Sequence, residues 1–302
     1  METGIRVRYR TYETNQQLYA LLRRGGARVD VIIPSDYMIA RLIEEDMLYE
    51  LDFNNIPNFA FIDERFKNLD FDPDNRFSVA YMTGTVGLIY NSAVITDEIT
   101  SWNVLWDERF AGQILMFDNP RDAFGIALRY LGFYQNTIVE SEIRQAFDLL
   151  VNQRPLLQAY VMDQIFDKLE SGEALLGPYY AGDYFIMRET NPDLVFVRPV
   201  EGSNFFVDAM AIPRGAQNKT NAELFINFMT RTDIALRNME HVWYASANAE
   251  TAAIFAEYHQ LDPREYEILF ASYETLANCD MFTHLPRHIL DLYDELWVEL
   301  KR

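Results

Sequence analysis

Apolar residues along the chain fall into two kinds of short run that take turns, and that alternation predicts an α/β fold. Across 15–24, Leu18, Leu21 and Leu22 recur at helical spacing until Gly25-Gly26 ends the run. The next run, 30–34, is strand-sized and bounded by turn residues, and 35–45 is again helical, with Ser35 as cap and Met38, Leu42 and Ile43 inside. A polar connection at 52–75 leads to 79–91, rich in β-branched residues and punctuated by Gly84 and Gly87, which reads as a long strand that bends. Helices are predicted over 101–110, 121–131, 141–151, 163–171, 222–229 and 286–300. Between them lie strands at 113–117 and 174–176, an aromatic loop at 177–183, and a second long strand at 206–213. Such alternation implies a mostly parallel sheet. The first residues, Met1-Glu2-Thr3-Gly4, read as a helix end capped by glycine, and 5–9 as an alternating strand.

Size and charge narrow the picture. A chain of 302 residues exceeds what one hydrophobic core usually fills, so two lobes are expected. Hydrophobic residues at 49% and charged ones at 24% describe an ordinary soluble protein. No apolar run is long enough to span a bilayer, and the start carries no secretory signal pattern. The single Cys279 excludes an intramolecular disulfide. Of His241, His259, His284 and His288, only the last two sit at helical spacing, and no third ligand accompanies them, so no metal is expected. With 46 acidic against 26 basic residues the net charge is −20, which argues against nucleic acid and favours both solubility and the approach of cations.

No phosphate-binding glycine loop, nucleophile elbow or His-Glu-x-x-His pair occurs, so neither a cofactor nor a catalytic role is predicted. An acid-pair hydrolase is the alternative from another class, drawn only from the abundance of carboxylates. What recurs is an aromatic beside an acid after a strand: Asp36 and Tyr37; Asp118, Asn119 and Asp122; Tyr179, Tyr180 and Asp183; Phe205, Phe206 and Asp208. Taken singly, Phe205 and Tyr179 suit core packing, and Asp36 and Asp118 suit caps. As a set they suit an organic cation, whose ammonium needs a carboxylate and whose methylenes need aromatic cover.

Several segments, in order, resemble the spermidine/putrescine-binding proteins of bacterial ABC importers. They are Thr11-Tyr12-Glu13-Thr14-Asn15, the stretch from Asp30 to Tyr37, the stretch from Tyr81 to Asn91, Ser101-Trp102-Asn103-Val104-Leu105-Trp106-Asp107, Arg121-Asp122-Ala123-Phe124, Gly172-Glu173-Ala174 and the stretch from Val207 to Pro213. The resemblance implies a two-lobed type II periplasmic-binding-protein fold with the ligand cleft between lobes. Its first lobe comprises 1–84 and 207–252, and its second 85–206 and 253–302. Strands near 83–91 and 205–213 would form the hinge. It further implies an extracytoplasmic, non-enzymatic receptor that delivers spermidine or putrescine to a membrane permease, with another organic cation as the alternative ligand. The implied ligand-binding residues are Ser35, Tyr37, Asn119, Asp122, Tyr180, Phe206, Asp208, Tyr244 and Thr283, with Asp208 as the principal anionic clamp.

Three departures from the family pattern stand out. Asn119 occupies a carboxylate position, and Tyr180 and Phe206 occupy indole positions. The family also opens with a strand and helix of which only a Thr3-Gly4-like ending is present here, so this sequence alone is expected to bind weakly or to be less stable than a longer form.

Overall fold

The computed structural model describes residues 3–25 and 28–302. Twelve helices and eight strands are formed by the described residues. The helices are α1 (Asn15–Arg23), α2 (Asp36–Glu44), α3 (Pro120–Tyr130), α4 (Glu140–Gln153), α5 (Ile165–Glu170), α6 (Ala181–Thr190), α7 (Lys219–Met229), α8 (Thr232–Val242), α9 (Thr251–His259), α10 (Pro263–Leu269), α11 (Tyr273–Leu276) and α12 (Arg287–Leu300). The strands are β1 (Ser78–Asn91), β2 (Ile114–Phe117), β3 (Leu157–Val161), β4 (Leu176–Tyr180), β5 (Leu194–Val197), β6 (Ser203–Ala211), β7 (Ala245–Ser246) and β8 (Cys279–Asp280).

The chain forms two compact units. One comprises Met1–Thr83, Phe206–His241 and Ala245–Asp262; the other comprises Gly84–Phe205, Val242–Tyr244 and Pro263–Arg302. β1 and β6 each run from one unit into the other without a break in the strand.

In the first unit, Thr14 caps α1 by accepting from the Gln17 amide at 3.2 Å. Leu18 of α1, Met38, Ile39 and Leu42 of α2, and Ala209 and Ala211 of β6 close one apolar core with Ile32 and Leu48. The expected parallel strand at 30–34 is instead a set of single antiparallel bridges to the end of β6, Ile32 to Ala211 and Ser35 to Asp208. The expected strand at 5–9 alternates but enters no ladder among the described residues, and Val7 and Tyr9 face solvent. Gly4 has the left-handed φ of 70° that a capping glycine adopts, while Met1 and Glu2 of the expected helix end, and Gly26 of the expected helix stop, lie outside the described residues.

The second unit holds a mixed sheet. β3 and β4 flank β2 in parallel, and β1 joins antiparallel to β4 on one side and to β5 on the other. Gly87 of β1 tolerates no side chain, because a Cβ there would lie 2.3 Å from the Phe196 ring. α12 packs on α3 and α4, bringing the Phe124 and Tyr293 rings to 4.9 Å. The predicted helix at 101–110 is two 3-10 turns, because Ser101 and Asp107 each accept the amide two residues on and restart the backbone. The predicted loop at 177–183 is the end of β4 followed directly by α6, and His284 precedes α12 rather than sharing it with His288.

Candidate functional site

Each unit carries its own carboxylate set. In the first, Ser35 stands at the cap position of α2 yet makes no cap bond. Its Oγ donates instead to Asp208 Oδ1 at 2.7 Å. Asn15 Nδ2 donates to Ser35 Oγ and to Tyr37 Oη, both at 3.2 Å, so one amide holds the serine and the phenol together. Asp36 is buried and structural: its Oδ2 accepts from the Val207 amide at 3.1 Å, fixing β6 beside α2. Phe206 and Asp208, two apart on β6, project from the same face of the strand.

Burial pushes the Asp208 carboxyl up to about 6, and the Ser35 hydrogen bond pulls the other way. The Asp208 charge also raises two phenols that sequence reasoning did not single out. Burial and then Asp208 lift Tyr12, whose hydroxyl donates to Ile33 O at 2.6 Å, and burial, Tyr9 and Asp208 push Tyr81 up to about 12. Tyr12, Asn15 and Tyr81 all lie in segments that carry the family likeness.

In the second unit, Asn119 caps α3 by accepting from the Arg121 amide at 3.1 Å, and Pro120 follows at the first helical position. Its Nδ2 donates to Asp122 Oδ2 at 2.6 Å. Both ends of the Asn119 amide are thereby engaged within the protein. Asp122 is 5% exposed, and burial pushes it up to about 7 against the Arg121 charge and hydrogen bonds from Asn119 and Tyr180. The Tyr180 ring lies 5.3 Å from Phe117 and 4.9 Å from Tyr179. Tyr179 itself is buried, and its hydroxyl donates to Asp163 Oδ1 at 3.1 Å.

Tyr244 donates to Asp183 Oδ2 at 2.7 Å. Burial raises Asp183 to about 7, the Tyr244 bond opposes this, and the neighbouring Asp163 charge adds to it. Gly182 permits the approach, since a Cβ would lie 2.5 Å from both Trp243 O and the Tyr244 ring. Thr283 is held through its backbone, its amide donating to Asn136 Oδ1 at 3.0 Å and its carbonyl accepting from Arg121 Nη2 at 3.4 Å. Asp118 pairs with Lys301.

The structure therefore joins Ser35, Tyr37 and Asp208 in one net and Asn119, Asp122 and Tyr180 in another. Tyr244 joins Asp183, and Thr283 reaches α3 through Arg121. Among the described residues, Asp208 and Asp183 accept from hydroxyl groups and form no ion pair with Lys or Arg. Nor do the described residues include a cluster of three or more His, Cys, Asp or Glu able to hold a metal ion, or a helix long and apolar enough to cross a membrane.

Two compact units of mixed helix and strand, with β1 and β6 running through both, accord with the periplasmic-binding-protein fold of the similar solved structures. The chain belongs to the bacterial extracellular solute-binding protein family, whose model matches residues 28–263. It is similar to the spermidine/putrescine-binding periplasmic protein of Escherichia coli, 32% identical over 99% of this chain and 85% of that one. A solved structure from Listeria monocytogenes is 34% identical with a TM-score of 0.93, covering 99% of this chain and 92% of that one. The spermidine/putrescine ABC transporter substrate-binding protein PotD of Streptococcus pneumoniae is 30% identical with a TM-score of 0.84 over the same shares.

Proposed function

We propose that this chain is the substrate-binding component of a polyamine ABC importer, a non-enzymatic receptor outside the cytoplasmic membrane that passes spermidine or putrescine to the permease. The observation that carries the reading is the state of Asp208 and Asp183. Each is raised by its surroundings, each is steadied by one hydroxyl, and neither has a cationic partner among the described residues. Such carboxylates are costly as anions without a cation beside them, so an ammonium ligand would supply their counter-charge. Tyr37 and Phe206 in one unit, and Tyr180 and Tyr244 in the other, supply faces for the methylenes and for cation–π contact.

The relatives' names support the same ligand class. A calorimetric panel of putrescine, cadaverine, spermidine and spermine tests the proposal. Saturable binding with no change in the ligand is expected. Silence with every amine overturns it, and product formation would favour a hydrolase.

A further inference from the structure

Ser35 is drawn two ways. It stands at the cap position of α2, where a serine oxygen ordinarily accepts from a backbone amide of the first turn, yet it forms no such bond and its Oγ donates to Asp208 Oδ1 at 2.7 Å. A second side chain reaches the same oxygen. Asn15 Nδ2 donates to Ser35 Oγ and to Tyr37 Oη, both at 3.2 Å, and Asn15 Oδ1 accepts from the Ser35 amide at 3.4 Å. A backbone N–H only donates, so that last bond fixes which end of the Asn15 amide turns toward the two hydroxyl groups, and it is the donor end. Ser35 Oγ therefore receives one hydrogen and has its own to give, and an ionised carboxylate, which only accepts, takes it. Turned over, the Asn15 amide would offer Oδ1 and compete with Asp208 for the serine hydrogen.

The core keeps the partners of this relay in place. Asn15 opens α1 directly after its Thr14 cap, and Leu18 of the same helix packs in one apolar cluster with Met38 and Ile39 of α2 and with Ala209, which follows Asp208 on β6. We propose that Asn15 is a positioning residue for the Asp208 site: its amide holds the Ser35 hydroxyl off the α2 cap and aimed at Asp208, and steadies the Tyr37 phenol beside it. The consequence for ligand binding rests on the polyamine reading, in which Asp208 receives an ammonium group and fixed partners lower the cost of ordering the site. Other groups that bear on Asp208 do not duplicate the role. Tyr12 spends its hydroxyl on Ile33 O, Tyr12 and Tyr81 of β1 are phenols raised far from neutrality, and no Lys or Arg pairs with Asp208 among the described residues.

The test begins without ligand. The carboxyl carbon of Asp208 is titrated by NMR in the wild type, Asn15→Leu, Ser35→Ala and the double variant, with melting temperatures recorded alongside. Asn15→Leu should raise the Asp208 midpoint by about half a pH unit or more, since Ser35 is then released to the cap. Ser35→Ala should raise it at least as far, and adding Asn15→Leu to Ser35→Ala should move it no further. Putrescine affinity at pH 7 should fall roughly five-fold in Asn15→Leu, and an affinity equal to that of the wild type overturns the link to binding. An unmoved midpoint in Asn15→Leu overturns the positioning role even if the melting temperature drops, and so does a rise that persists in full on the Ser35→Ala background. Should Asn15→Leu not fold, Asn15→Ala is judged by the same two criteria. Failure of the wild type to bind any polyamine would refute the transport reading alone, since the ligand-free titration still decides the role of Asn15.

Discussion

Ser35 and Asp208, 173 residues apart, meet twice: as partners in an antiparallel bridge and through the 2.7 Å bond from Ser35 Oγ to Asp208 Oδ1. That bond is the influence holding the raised Asp208 carboxyl down. Replacing Ser35 by Ala should therefore weaken putrescine binding at pH 7 by roughly ten-fold, the scale of a hydrogen bond to a charged group. The deficit should shrink at pH 8.5, where Asp208 is ionised in either protein. Equal calorimetric affinities of wild type and variant at pH 7 would refute this.

Asp122 is raised to about 7 in the folded protein from an ordinary 3.8. The folded state thus holds more protons than the unfolded one between those values, so this group's contribution to stability falls as pH rises through that window and stays low above it. Asp122→Asn should stabilise the ligand-free protein by roughly 1–3 kcal/mol at pH 8 and by nothing measurable at pH 4. Urea denaturation at the two pH values checks the sign.

On the proposed polyamine reading, an ammonium ligand favours the ionised forms of Asp122 and Asp183, both raised to about 7. Affinity should drop as pH is lowered from 8 to 6, and at pH 6.5 binding should release on the order of one proton. Calorimetry in buffers of different ionisation enthalpy reads that release directly. A heat independent of buffer contradicts it.

The Tyr244 bond to Asp183 depends on the bare backbone of Gly182. Tyr244→Phe should reduce affinity roughly ten-fold with little loss of melting temperature. Gly182→Ala should reduce both, because its Cβ displaces the Tyr244 ring and the Trp243 carbonyl at a cost of about 1–3 kcal/mol. If Gly182→Ala binds normally, the ring is not where binding needs it.

Asn119→Asp would set a second carboxylate beside Asp122, where the amide now donates at 2.6 Å. Like charges that close share a proton, so the ligand-free protein should lose stability at pH 8. The added anion should raise affinity for spermidine relative to putrescine, since only the former brings a third ammonium. Paired titrations of the two amines measure the ratio.

Helices with one apolar stripe were legible in the sequence. α1, α2, α3, α4, α5 and α12 begin and end within two residues of their predicted bounds. α6 was not, because Ala181, Gly182, Tyr184, Phe185 and Met187 are buried together and leave no clean stripe to read. β3 and β5 escaped notice for a related reason: they are short, and half of their residues or more remain partly exposed. In the candidate site, residue types were readable but pairings were not. Nothing local says that Asp36 anchors Val207 or that Tyr244 finds Asp183, because those meetings span 171 and 61 residues. The sequence suited Asp118 to a cap, but α3 is capped one residue later by Asn119, ahead of Pro120, and Asp118 pairs with Lys301 instead.

Both units are stitched from separated stretches of chain, and this governs the order of events at the ribosome. The first unit is incomplete until Asp262 has been made, and the second until α12 has emerged. Contacts at such long range form late and slowly. The nascent chain therefore spends most of its synthesis without a finished core.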